Sequence, residues 1–262
     1  MGWTLNPVDW FRRAAEGSSL CAWVGVVFVA ILAISLIGLA VDQRQVLGIN
    51  PWIKPIKFLL SAIIFVWTMG WLLSLVDVPA GSREWAGGVV AAMLLGEIIA
   101  ITGQAARGVR SHYNTASAFD GMVFSLMGLM IVINTLVIGV VLLWFFQHAK
   151  PMPESALWGC RLGLLLAFLG SVQGGFMAYY GSHAVGVPDG GPGLPFVNWA
   201  TNAGDLRIAH FIGLHGMQVL PWAGFLFAEW GGVAALLLAA LVHYGAFTLT
   251  FLQAMAKKPL FF

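Results

Sequence analysis

The chain has 262 residues, of which 60% are hydrophobic and 9% charged, with a formal net charge of +2. That balance excludes a soluble globular domain, where about a quarter of residues carry charge. So small a net charge supports neither nucleic-acid binding nor a polybasic lipid switch. The apolar residues fall in separate runs of about 20, the length that crosses about 30 Å of hydrocarbon. The chain therefore reads as an all-α polytopic bundle of seven transmembrane helices in a lipid bilayer.

Residues 1–18 set Trp3, Trp10 and Phe11 beside Asp9, Arg12, Arg13 and Glu16, the pattern of a short interfacial helix with an aromatic anchor. The first span, Leu20 to Val41, is too long for the h-region of a signal peptide, about 7 to 15 residues. Asn50-Pro51-Trp52-Ile53-Lys54-Pro55 turns the chain into span two, Ile56 to Leu75. Its prolines suit a first helical turn, which leaves Lys54 and Lys57 at or just inside that end. Span three, Trp85 to Ala106, carries Glu97 near mid-depth, with Gln104 two turns on along the same face. It leaves through Arg107, Arg110, Ser111 and His112, and span four, Phe119 to Phe146, opens on Asp120 and contains Asn134.

Span five, Ala156 to Tyr179, lines Gly159, Gly163, Ala167, Gly170 and Gly174 along one stripe, the small-residue pattern that lets two helix backbones approach closely. Cys21 and Cys160 read as two buried thiols, with a disulfide between them as the alternative. A Gly/Pro-rich loop, Gly181 to Ala203, leads into Gly204–Gln218 and span six, Arg207 to Phe227. At about 100° per residue, Arg207, His210, His215 and Gln218 fall within an arc of roughly 140°. Polar groups at membrane depth persist where they face a cavity or one another. Span seven, Gly231 to Met255, holds His243 near its middle, and residues 257–262 form a short basic tail. Seven crossings bring Lys54, Lys57, Arg107, Arg110, His112, Asp120, His183, Asp205, Arg207 and His210 to the face that holds the C-terminus. Counted as loop charges they place that face in the cytoplasm; held in a site they reverse the balance, so both orientations stay open.

Three sets of residues carry candidate chemistry. Lys54, Lys57, Arg107, Arg110 and Arg207, with Gln104 and Gln218, are candidate binding residues for an anionic or amphiphilic small molecule, because arginine forks match carboxylate and phosphate oxygens; the plainer reading is snorkelling to lipid headgroups. His112, His183, His210, His215 and His243 are candidate metal ligands. Zinc or iron needs about three nitrogen or carboxylate donors. His210 and His215, five residues apart, are rotated about 140° from one another, so another helix must complete such a site. Haem b held by two histidines of different helices, such as His215 and His243, is the other metal reading, and a helix-to-helix hydrogen bond is the plain one. Glu97 and Asp205 are the candidate acid/base groups, since an ionisable residue near the bilayer centre serves as a proton carrier, base or counter-ion by default.

The motifs Asn50-Pro51-Trp52-Ile53-Lys54-Pro55, Arg107-Gly108 with Ser111-His112, and Gly204-Asp205-Leu206-Arg207 with His210, Gly213, Leu214, His215 and Gln218 resemble those of a family of bacterial multi-pass membrane proteins. The resemblance implies a polytopic protein of the bacterial inner (cytoplasmic) membrane and no particular activity. In architecture the chain is also similar to the seven-span, zinc-binding membrane hydrolases of the alkaline ceramidase and progestin-receptor-like group. That group pairs histidines four apart on its last span, whereas here the pair is five apart on span six. The leading expectation is a metal- or haem-binding membrane enzyme or redox protein acting on an apolar or amphiphilic substrate. A proton-coupled transporter or receptor for a small anion, with Glu97 as proton carrier, is the alternative, and a structural or assembly subunit is the third.

Overall fold

The computed structural model describes residues 6–260. Trp3 and the last two residues of the basic tail lie outside the described residues. The helices in chain order are α1 (Pro7–Gly17), α2 (Ser19–Val41), α3 (Ile53–Ser74), α4 (Ala80–Arg107), α5 (Ala118–Gln147), α6 (Glu154–Tyr180), α7 (Leu206–Phe227) and α8 (Gly232–Met255). Between α6 and α7 lies a two-stranded antiparallel clip, β1 (Ala184–Val185) with β2 (Gly204–Asp205). Among the described residues, six helices are long and apolar enough to cross a membrane, namely α2 to α6 and α8. The chain is thus an all-helical, multi-pass membrane protein. The seventh predicted span does not meet the same standard. α7 has 22 residues, which is spanning length, but Arg207, His210, His215 and Gln218 dilute its apolar content.

The chain divides into two compact units, one running to Lys150 without Leu47–Ile49, the other made of those three residues and Pro151–Phe262. In the first unit, α1 starts on an Asn6 cap whose side chain accepts from Val8 N at 3.0 Å, with Pro7 in the first turn. α1 lies on α3, where Trp10 meets the edge of Trp71 at 6.3 Å between ring centroids. The first turn of α2 is closed from another helix. Glu84 on α4 accepts from Ser19 N at 3.0 Å and Leu20 N at 3.2 Å, so a carboxylate occupies the positive end of the α2 dipole. Phe28, Leu59, Ala62, Val66 and Ile98 form the apolar core of α2, α3 and α4. The far ends of α3 and α5 are tied by Lys150, which donates to the Ser74 carbonyl at 2.7 Å.

In the second unit the predicted glycine stripe on α6 is the surface on which α7 lies. A Cβ on Gly170 would sit 2.8 Å from the Gly213 carbonyl carbon, and one on Gly163 2.7 Å from the Gly216 oxygen. The helix backbones meet where no side chain fits. Leu166, Leu220 and Ala240 fill the core where α8 joins them. Gly170→Val is expected to lower the melting temperature in detergent sharply, because overpacking costs about 3 kcal/mol at such a site. Gly175→Val, which meets nothing within 4 Å, is the control that leaves it nearly unchanged. Cys21 and Cys160 are both buried and free, as two thiols rather than a disulfide.

Candidate functional site

In the first unit, the N-terminal turn of α3 and the exit of α4 bring together residues far apart in sequence. Lys54 Nζ lies 3.1 Å from His112 Nδ1, and Ser111 Oγ lies 3.1 Å from the same nitrogen. An ammonium only donates, so Nδ1 accepts from Lys54 and the ring proton sits on Nε2. The imidazole is walled by aromatic rings, Phe58 at 5.9 Å, Tyr113 at 6.2 Å and Phe124 at 6.0 Å between centroids. Tyr113 holds this position with φ at 54°, a left-handed backbone that a bulky residue rarely adopts. Below this cluster, Glu97 on α4 is 5% exposed, and its Oε1 has no hydrogen-bond partner. Lys54 is the charge that acts on it. An isolated carboxylate at this depth costs about 3 kcal/mol or more. The group is therefore satisfied either as a neutral acid or as an ion facing the Lys54 ammonium.

The second polar group of this unit is a joint between α4 and α5. Asp120 accepts from Gln104 Nε2 at 2.9 Å, Arg107 Nη1 at 2.6 Å and Ser117 Oγ at 2.7 Å. Ser117 in turn accepts from Asp120 N, capping α5. Arg107 also donates to Gln104 Oε1 and lies over the Phe119 ring. Gln104 and Arg107, predicted to bind a ligand, thus hold a helical hairpin together, and Arg110 is exposed. Lys57 sits half-buried one turn after Lys54.

In the second unit, Asp205 caps α7 and grips Arg207. Oδ1 accepts from Arg207 N at 3.0 Å and Nε at 2.9 Å, while Oδ2 accepts from Nη2 at 2.5 Å and from Ala200 N at 2.7 Å. Arg207 also donates to the Asn198 carbonyl. Burial alone would raise the Asp205 carboxyl, but Arg207 and the Ala200 N–H outweigh it and hold its pKa below the usual carboxylate range. Arg207, one of the candidate binding residues for an anionic molecule, is engaged by its own carboxylate, and Lys57 of the same set belongs to the other unit. Asp42 and Arg44 after α2 repeat this fork with the same spacing, Oδ1 accepting from Arg44 N at 3.0 Å and Nε at 2.9 Å. The Arg44 hydrogen bond is the main cause that drops the Asp42 carboxyl well below its ordinary pKa.

The histidines of the second unit are spread along it. His183 Nδ1 lies 3.1 Å from Asp189 Oδ1, beside β1. His210 Nδ1 donates to the Gly170 carbonyl at 2.8 Å, and His243 Nε2 to the Ile212 carbonyl at 2.9 Å, each joining two helices. His215 lies against the Phe211 ring at 4.3 Å, with Gln218 beside it. Among the described residues, no group of three or more His, Cys, Asp or Glu side chains is placed to hold a metal ion. The zinc or iron reading therefore gains no support from the geometry, and His210 and His243 each make a helix-to-helix hydrogen bond.

Two partners were not singled out from sequence. Asp189 fixes the turn before β1, accepting from Ser182 Oγ at 2.7 Å and Ala184 N at 3.0 Å; the Asp-Gly-Gly in a Gly/Pro loop was its only signal. Glu84 precedes the apolar run of span three, and only its proximity to Ser19 shows it as a cap. Comparison with protein-family models, curated proteins and solved structures finds no match.

Proposed function

We propose that this chain is a proton-coupled membrane transporter in which Glu97, Lys54 and His112 relay a proton between the middle of the bilayer and the α4–α5 loop. The observation that carries this reading is the Glu97 carboxyl, buried with an unpartnered oxygen under a lysine that is itself 3.1 Å from an imidazole. Lys54 gives a proton to His112 Nδ1 and takes one from Glu97, and His112 releases its Nε2 proton towards the loop. The bonds broken and formed balance, and the relay ends with a Glu97 carboxylate facing a Lys54 ammonium. Ser111 holds the ring, and Phe58, Tyr113 and Phe124 keep bulk water from it. Lys57 adds positive charge at the same end of α3, which suits a small anionic solute moving with the proton. In this reading α7 makes the seventh crossing, its polar side turned to its neighbours, and the bilayer is a bacterial inner membrane, as the motif resemblance implies.

His112 gives the direct test in proteoliposomes with a trapped pH dye. His112→Ala is expected to slow gradient-driven proton entry by about 100-fold, the scale of a lost acid–base group, and added imidazole to restore most of it. Proton entry unchanged by the substitution overturns the relay.

A further inference from the structure

A second set of buried polar atoms lies in the C-terminal unit, apart from the relay. No partner lies within direct hydrogen-bond distance of either end of the Gln218 amide, Oε1 or Nε2, although both atoms are buried and the His215 ring is near enough to act on it. Gln218 sits beside the His215 ring, and His215 is within electrostatic reach of both His210 and His243. His243 donates through Nε2 to Ile212 O, so its Nδ1 is left as an acceptor. Pro221, inside α7, has no N–H to offer the carbonyl four residues back, that of Met217. On α6, Gln173 donates through Nε2 to Leu206 O at 3.2 Å, yet its Oε1 has no partner although the residue is only 7% exposed.

Buried amides are almost always hydrogen-bonded, and leaving both ends unmade at membrane depth is costly. A water needs two to four polar partners, and membrane helices interrupted by proline commonly recover the freed carbonyl through ordered water. We propose that the polar side of α7, with His243 of α8, binds ordered water at Gln218, His215 and His243, making a hydrated histidine site within this unit. The occupant is water rather than a metal, because the Gln218 amide and the two imidazoles offer both donors and acceptors while the described residues offer no three metal donors together. Such water lets the imidazoles exchange protons without leaving the helix.

The test is water-edited solid-state NMR of the full chain in lipid bilayers, labelled with 15N-histidine and 15N-leucine. The His215 and His243 signals are assigned by His215→Phe and His243→Phe. The ring nitrogens of His215 are expected to receive magnetisation from water within about twofold of the rate at exposed His148, and Gln218→Leu to cut that transfer about tenfold by removing the water's partners. Gln218→Glu, which keeps an acceptor at the site, is expected to retain it. Transfer to His215 as slow as to the buried Leu166 backbone amide, or transfer indifferent to Gln218→Leu in protein that still shows the His148 signal, overturns the site.

Discussion

Glu97→Gln is expected to reduce proton entry into proteoliposomes by at least about 100-fold while the protein stays folded, the cost of losing the group that both accepts and releases the proton. Glutamine keeps the size and the hydrogen-bonding oxygen of the side chain but carries no exchangeable acid. Glu97 is 5% exposed and its Oε1 holds no other group in place, so the substitution removes chemistry rather than packing. Folded yield and melting temperature close to the parent, together with lost flux, separate the relay from a structural role. A variant that keeps normal flux removes Glu97 from the path.

The largest expected effect on stability falls on Asp205. Asp205→Ala removes the acceptor for the Arg207 backbone N–H and guanidinium and for the Ala200 N–H, in a residue only 2% exposed. Removing one partner of a buried ion pair costs about 3 to 5 kcal/mol. The Arg207 side chain keeps 26% of its surface accessible, which relieves part of its stranded charge, so the lower end, about 3 kcal/mol, is expected. The loop before α7 should loosen with it, seen as faster hydrogen exchange at Ala200 and in the β1–β2 clip. The same carboxyl gives a pH dependence. Its folded-state pKa lies below that of the unfolded chain, so the stability it lends is complete above the ordinary aspartate range. That stability is lost as the pH falls through the lowered folded value. Thermal melts of the parent and Asp205→Ala should converge towards the acid end, and a difference that stays constant with pH contradicts this account.

The order of the helices was readable from the apolar runs because hydrocarbon allows little else. Apolar runs alone put helix starts late for a related reason. The apolar run of span three begins at Trp85, but α4 starts at Ala80. Helical hydrogen bonding continues through Ser82, Arg83 and Glu84, which sit before the apolar run without ending the helix. Span two likewise starts at Ile53 rather than Ile56, placing Lys54 within the first turn. The glycine stripe on α6 was readable because spacing alone puts those residues on one face.

The partners of the charged groups were less accessible. Asp205 and Arg207 were both named, yet helical-wheel angles treat them as points on a cylinder, whereas Asp205 lies before the helix and folds back on Arg207. The Asp42-Gln43-Arg44 spacing repeats that of Asp205-Leu206-Arg207, and it was the one local signal that the arginines are bound to their own carboxylates. Lys54 and His112 fall at one membrane face by sequence, but 58 residues separate them. Only the meeting of the α3 start with the α4 exit makes them neighbours.

The most direct test of the proton relay is difference infrared spectroscopy of the protein in lipid as the pH is cycled, with Glu97→Gln alongside. The account predicts a carboxylic C=O band that interconverts with carboxylate bands in the parent and is missing from the variant. A parent spectrum whose carboxyl bands are all retained in Glu97→Gln would contradict it.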